Sequence, residues 1–204
     1  MSTPPPRPEL AHRDGHDAPY ATKEPWDIDR PQPAFAALAE RGELRGRVLD
    51  IGCGTGEHAL MAAGLGHEAV GIDQSARAVQ LAAIKARERG LDARFLQHDA
   101  LHLADLGETF DTVLDCGLFH TFDPETRPAY ADSLASVLRS GGRYVLLGFS
   151  DRQPGDWGPH RLSRKDIETT FADGWRIDSL AESTLEILMT PATVQAWLGR
   201  LTRL

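Results

Sequence analysis

The chain has 204 residues, 41% hydrophobic and 25% charged, ordinary globular usage that suits one domain with one sizeable core. With 30 acidic side chains against 22 basic, the net charge is −8, which disfavours a nucleic-acid partner gripped through its phosphates. No run approaches the roughly twenty apolar residues of a spanning helix. The start, MSTPPPRPEL, lacks the apolar core of a signal peptide, and two cysteines, Cys53 and Cys116, do not make a disulfide scaffold. A cytoplasmic chain without a membrane partner is expected.

Residues 1–19 are proline-rich and nearly devoid of large apolar side chains, so they are expected to form a disordered arm. His12 and His16 lie in it with no Cys or Glu at zinc-ligand spacing, and no metal site is expected. The single domain is placed at 20–204. It opens with a cap segment and helix over 20–46, in which aromatics and prolines precede a short helical pattern (Phe35, Leu38, Ala39) that Gly42 ends.

From Arg47 onward, β-type runs at 48–51, 69–72, 94–97, 112–116 and 144–149 alternate with helical periodicity. Val79, Ala82, Ala83 and Ala86 form one apolar stripe, and Tyr130, Leu134, Val137 and Leu138 form another. Strands apolar nearly throughout, separated by helices, predict a parallel sheet covered on both faces. Ser140, Gly141 and Gly142 are expected to close the helix before the fifth strand, and Ser163 with Asp166 reads as a capping box. Two final runs, joined around Thr190 and Pro191, predict an antiparallel hairpin at one sheet edge.

The sharpest feature is Val48-Leu49-Asp50-Ile51-Gly52-Cys53-Gly54-Thr55-Gly56-Glu57-His58, a strand running into glycines at every second position and then a helix. Such glycines let the chain turn sharply and let a ligand lie against the main chain. The dinucleotide fingerprint is G-x-G-x-x-G, and here the register is G-x-G-x-G. Glu57 stands where the third glycine of that fingerprint would fall, and its charge is expected to repel a pyrophosphate. A cationic ligand without phosphates suits the loop better. Asp73 ends the second strand, 21 residues beyond Gly52, where a ribose-binding carboxylate sits in βαβ units. Asp99 ends the third strand, placed to accept from an adenine amino group.

Together these residues resemble the class I S-adenosylmethionine-dependent methyltransferases over 47–204. The resemblance implies a Rossmann-like doubly wound α/β sheet in three αβα layers, mostly parallel with one antiparallel edge strand, in the order 3-2-1-4-5-7-6. It implies that Asp50 holds the amino group of the methionine end, that Asp73 binds ribose and that Asp99 meets adenine. Gly52, Cys53, Gly54, Gly56, Gln74, Ala100, Asp115 and Cys116 complete the expected cofactor site, with S-adenosylhomocysteine as product. The two cysteines fall at the ends of the first and fourth strands and are read as small residues lining the cleft.

The fourth strand opens into Asp115-Cys116-Gly117-Leu118 rather than the Asn/Asp-Pro-Pro-Tyr/Phe of enzymes that methylate exocyclic nitrogens. Pro25-Trp26-Asp27-Ile28, Pro31-Gln32-Pro33, Leu118-Phe119-His120, Gly141-Gly142-Arg143-Tyr144 and Phe149-Ser150-Asp151 are similar to small bacterial methyltransferases. Those include the heterocyclic toxin methyltransferases and, more distantly, the thiopurine and tellurite-resistance enzymes. That resemblance implies methyl transfer to O, N or S of a small aromatic or heterocyclic molecule, in detoxification or secondary metabolism. His120 is the expected catalytic residue, either taking a proton or holding an oxyanion. Tyr20, Trp26 and Trp157 are expected as aromatic walls of the acceptor pocket. Two other readings stand beside it: an NAD(P)-dependent oxidoreductase and a non-catalytic adenosyl-binding partner protein. Monomer and homodimer both remain open.

Overall fold

The computed structural model describes residues 23–204. The expected arm and Tyr20 lie outside the described residues. After the cap segment come α1 (Pro33–Glu40), β1 (Val48–Ile51), α2 (Glu57–Gly64), β2 (Ala69–Asp73), α3 (Ala76–Arg89), β3 (Ala93–Gln97), β4 (Phe110–Cys116), α4 (Arg127–Val137), β5 (Leu138–Phe149), α5 (Arg164–Thr170), β6 (Trp175–Glu186) and β7 (Thr193–Arg203). Two 3-10 segments, Ala100–Leu106 and Phe119–Thr121, follow β3 and β4.

The strands form one sheet in the order β3-β2-β1-β4-β5-β7-β6. Neighbours from β3 to β5 pair in parallel, while β7 runs antiparallel to both β5 and β6. The hairpin forms one edge as expected, with the reversed strand β7 inside it and β6 outermost. Alternation along each strand feeds two cores. Val113, Tyr144 and Leu146 pack with Tyr130 and Leu134 of α4 and Ile167 of α5. Leu114, Val145 and Leu147 pack with Phe35 and Leu38 of α1 and Ala59 and Ala62 of α2. The αβα layering follows.

Local signals mostly act where the sequence puts them. Ser163 and Asp166 make the capping box of α5, and Phe35 and Leu38 are buried on α1. The stripe of α3 is rotated slightly, with Ala78, Ala82 and Ala86 buried. One expectation is corrected. Ser140-Gly141-Gly142 does not close α4, which ends at Val137 and runs directly into β5 at Leu138. Leu138 already pairs with Phe110, and the register then jumps so that Thr112 faces Arg143. The glycine pair forms an irregularity inside the strand rather than a helix stop.

Because β1 to β4 are parallel, their carboxyl ends meet at one edge, the place where open α/β sheets bind ligands. The β6–β7 turn reaches the same edge, as do the segments after β4 and β5.

Candidate functional site

The loop 52–56 is shaped by main-chain bonds and by its glycines. Cys53 donates its N–H to Ile72 O at 2.8 Å, and Gly56 donates to Cys53 O at 2.8 Å. Gly56, the N-cap of α2, has φ +88°, and a Cβ there would stand 2.7 Å from the Phe95 ring and 2.8 Å from Ala82. No other residue fits that corner without displacing α3 or β3.

Asp73 orders the loop from the neighbouring strand, accepting from Gly54 N–H at Oδ2 and from Ser75 N–H at Oδ1, both at 2.9 Å. Asp99 caps the 3-10 segment, accepting from Leu101 N–H at 2.9 Å, with His102 Nδ1 3.0 Å from its other oxygen. Gln74 lies beside Asp99, and the two join Gln97, His98, His102 and Asp105 around an open polar depression of about 480 Å³. Ala100, next in the chain after Asp99, is buried. A cavity of about 520 Å³, lined by Gly66, His67, Glu68, Asp92 and Arg94 among others, contains none of the expected site residues.

Asp50 is buried, with Oδ2 accepting Ala59 N–H at 3.0 Å. Its Oδ1 has no hydrogen-bond partner among the described residues. Burial, aided by Asp73, Asp115 and Glu57, pushes its carboxyl up to about 7. A buried acceptor lacking a donor, in a ring of carboxylates, fits a cationic amine far better than a phosphate. That set of acceptors fits the amino end and sulfonium charge of S-adenosylmethionine. Cys53 and Cys116 lie at the ends of adjacent strands as expected, and burial pushes both thiols well above 9. Buried thiols held protonated in this way are poor nucleophiles.

Three expectations change. Glu57 does not present bare charge to the loop: Arg89 binds both its oxygens at 2.8 Å, and Lys85 lies 2.8 Å from Oε1. Burial opposes the charge, yet these cations hold the carboxyl below its usual range. The argument against pyrophosphate therefore rests on glycine register, not on repulsion. Asp115 is fully engaged by protein donors, with Tyr130 Oη and Tyr144 Oη on Oδ2 at 2.6 and 2.7 Å. Leu118 and Phe119 add their N–H groups, at 2.9 and 3.2 Å from Oδ1. It positions the loop after β4 rather than presenting a carboxylate to a ligand.

His120 is the third. Its Nδ1 accepts Phe149 N–H at 2.9 Å. A neutral ring bonded so carries its proton on Nε2. Burial, with His160 adding, pushes its pKa down to about 3. The Cε1–Nε2 side lies toward Gly117, whose Cβ would stand 3.3 Å from Cε1 and 3.6 Å from Nε2. The ring presents a donor at this edge, its one lone pair already taken by Phe149 N–H.

Trp157 packs edge-on to Phe149 at 5.6 Å, and Phe149 packs edge-on to His120 at 6.1 Å, so Trp157 belongs to the His120 side. Trp26 is 42% exposed on the cap, beside the β6–β7 turn, where Leu188 donates its N–H to Pro25 O at 2.6 Å. It is not core. The groups holding the cap carry no local sequence signal. Asp27 accepts from Thr55 at 3.0 Å, and Gln32 pairs its amide with both main-chain groups of Glu186 at 3.0 and 2.9 Å. Arg30 ion-pairs with Glu186. Such partners are invisible to local pattern because they lie 28 to 156 residues away.

A methyltransferase-domain model matches residues 48–142. A 2-heptyl-1-hydroxyquinolin-4(1H)-one methyltransferase of Mycobacteroides abscessus is 34% identical over 180 residues, covering 87% of this chain and 79% of that protein. The chain belongs to the S-adenosylmethionine-dependent methyltransferases. The solved structure from work on the conversion of a disulfide bond into a thioacetal group during echinomycin biosynthesis is 40% identical. It covers 91% of this chain and 86% of its own, at a TM-score of 0.83. A magnesium protoporphyrin IX methyltransferase from Synechocystis, solved with S-adenosylmethionine bound, is 25% identical, at a TM-score of 0.65 over 84% of this chain and 76% of its own. For this methyltransferase the oxidoreductase reading is set aside. Among the described residues no cluster of His, Cys, Asp or Glu could hold a metal, and no helix is long and apolar enough to cross a membrane.

Proposed function

We propose that this methyltransferase acts on a small aromatic heterocycle bearing an oxygen or sulfur that arrives already ionised. The observation that carries the reading is the Phe149 N–H to His120 Nδ1 bond at 2.9 Å, which commits Nε2–H of a neutral ring to donation. A donor at that edge stabilises an anionic acceptor atom and cannot remove a proton from a neutral one. Relatives bracket the chemistry: one is named for a hydroxylated quinolinone, and another comes from sulfur chemistry on a disulfide.

Asp50 would take the amino end of S-adenosylmethionine, Asp73 the ribose and Asp99 the adenine, with Gly52, Cys53, Gly54, Gly56, Gln74, Ala100 and Cys116 lining the cleft. When bound, that cofactor supplies a methyl group activated by the sulfonium. The chain's own part is placement: Asp115 fixes the main chain at Leu118 and Phe119, His120 orients the anion, and Trp26 and Trp157 wall off water. Tyr20 remains a proposed wall outside the described residues. The charge of −8 supports a small-molecule partner over a nucleic acid.

Mass spectrometry of reactions with hydroxyquinolones, phenols, heteroaromatic thiols and ring-nitrogen heterocycles tests this. The expected product is one methyl on acidic oxygen or sulfur, with kcat/KM following the acceptor's own ionisation. Equal rates on acceptors of widely different acidity would overturn it.

A further inference from the structure

His58 and Asp50 face each other behind the glycine loop. Asp50 Oδ1, the acceptor without a hydrogen-bond partner, stands 3.9 Å from Nδ1 of His58. The other ring nitrogen is committed, since Nε2 accepts the main-chain N–H of Gln32 at 3.2 Å. Burial pushes the pKa of His58 down to about 4, and the ring meets Phe35 edge-on at 4.8 Å. A buried neutral imidazole that accepts at Nε2 must carry its proton on Nδ1. That proton is on the side of Asp50 Oδ1.

Gln32 does more than fix this tautomer. Its side chain is clamped to the main chain of Glu186 at the end of β6, one amide group giving and the other receiving. The path from the β6–β7 hairpin through Gln32 and His58 to Asp50 is therefore continuous apart from its last gap, which at 3.9 Å exceeds a hydrogen bond. Closing that gap needs the carboxylate to turn while Oδ2 stays on Ala59 N–H. Oδ1 has two lone pairs, enough for the imidazole N–H and an ammonium group together.

We propose that His58 is a positioning residue through which the cap segment sets the Asp50 carboxylate for the amino end of the cofactor. This rests on the assignment of Asp50 to that amino end. His58 itself touches neither the transferred methyl nor the acceptor; it holds a partner in place, as outer groups do for metal ligands.

The test compares S-adenosylhomocysteine with 5′-methylthioadenosine, which keeps the nucleoside and thioether but lacks the amino-acid end. Calorimetric titrations use the full chain, His58→Gln, His58→Asn and Asp50→Asn. A glutamine amide reaches the place of Nε2 and offers nothing at Nδ1, whereas an asparagine amide nitrogen falls near Nδ1. His58→Gln is expected to weaken S-adenosylhomocysteine about tenfold, the size of one hydrogen bond to a charged group, with methylthioadenosine little changed. His58→Asn recovers most of that loss. Unchanged affinity in His58→Gln, or equal loss of both ligands, overturns the role of His58. If Asp50→Asn also leaves the ratio of the two affinities unchanged, the assignment of Asp50 itself fails. If only Asp50→Asn changes the ratio, the assignment stands and His58 is dismissed. Nitrogen-15 shifts of His58 in the unaltered protein give a check that needs no variant to fold: protonated Nδ1 with bare Nε2 is expected, and the reverse tautomer refutes the proposal.

Discussion

Thr55 Oγ1 donates to Asp27 Oδ2 at 3.0 Å and accepts from Lys85 Nζ at 2.8 Å, so one hydroxyl joins the cap segment, the glycine loop and α3. Lys85 also bonds Glu57 at 2.8 Å and lies 3.4 Å from Asp29. The cap is thereby tied by charge directly over the loop that the cofactor would occupy. Lys85→Met keeps the stem and removes the charge. Dissociation of S-adenosylhomocysteine, followed by stopped-flow tryptophan fluorescence, is expected to speed up severalfold and to lose part of its salt dependence. Arg89 still binds both oxygens of the buried Glu57, and the exposed Asp29 pair is worth at most about 1 kcal/mol, so the fold should hold. An unaltered dissociation rate at low and high salt would detach the cap from cofactor retention.

Asp115 gathers donors from three elements: Tyr130 on α4, Tyr144 on β5 and the N–H groups of Leu118 and Phe119. An amide in its place cannot accept at both oxygens, so Asp115→Asn leaves buried hydroxyl or N–H donors facing an NH₂ group. The expected cost is about 2–4 kcal/mol, the range for breaking a buried network, read as a lower denaturation midpoint at unchanged slope. Tyr144→Phe removes one donor only and should cost about 1 kcal/mol. If Asp115→Asn matched the parent in stability while losing cofactor affinity, the residue would belong to the ligand site after all.

The contrast between Asp115 and Asp50 explains what was legible in the sequence. A short run of β-type residues marked β1 at its full extent, and glycines at every second position marked the loop, because these signals are local. Burial of both carboxylates and the fate of their oxygens depend on partners from other elements. Nothing near Asp115 in the chain announces Tyr144, 29 residues on. The same blindness applied to Glu57, whose neutralising Arg89 is 32 residues away, and to His120, whose tautomer is decided by Phe149. The glycine pair at 141–142 misled for a different reason: φ +79° at Gly141 serves an irregular strand as well as a helix end.

On the proposed assignment of Asp50 to the amino end, cofactor binding should be sensitive to pH. Burial, with Asp73, Asp115 and Glu57 adding, raises its carboxyl from 3.8 to about 7. In the free protein the associated stability is fully present below the unfolded value near 4 and is lost as pH rises through about 7. A bound ammonium reverses the preference and favours the carboxylate. Binding of S-adenosylhomocysteine at pH 6 should therefore release on the order of one proton, and affinity should rise with pH until it flattens above about 7. Calorimetry in buffers of different ionisation enthalpy measures the release directly. Methylthioadenosine and the Asp50→Asn variant should show none. A heat that does not depend on the buffer would mean that Asp50 is already ionised or sits away from the ligand's amine.

His120 carries the opposite sign. Its pKa is pushed down from 6.5 to about 3 by burial, with His160 adding, so the stability it contributes is present above 6.5 and is lost as pH falls towards 3. Across the working range the ring stays neutral, and turnover should show no inflection near 6.5 from this group. What remains in the rate profile is the acceptor's own ionisation. His120→Ala removes the Nε2–H donor and should lower kcat roughly 10- to 100-fold, towards the lower end for losing one anion-stabilising donor. That loss should be alike on weakly and strongly acidic acceptors once rates are compared at equal ionised fraction. His120→Gln places an amide near Nε2 and should recover part of the rate. A loss concentrated on weakly acidic acceptors would instead identify His120 as a base, and would require its ring to turn away from Phe149 N–H during the reaction.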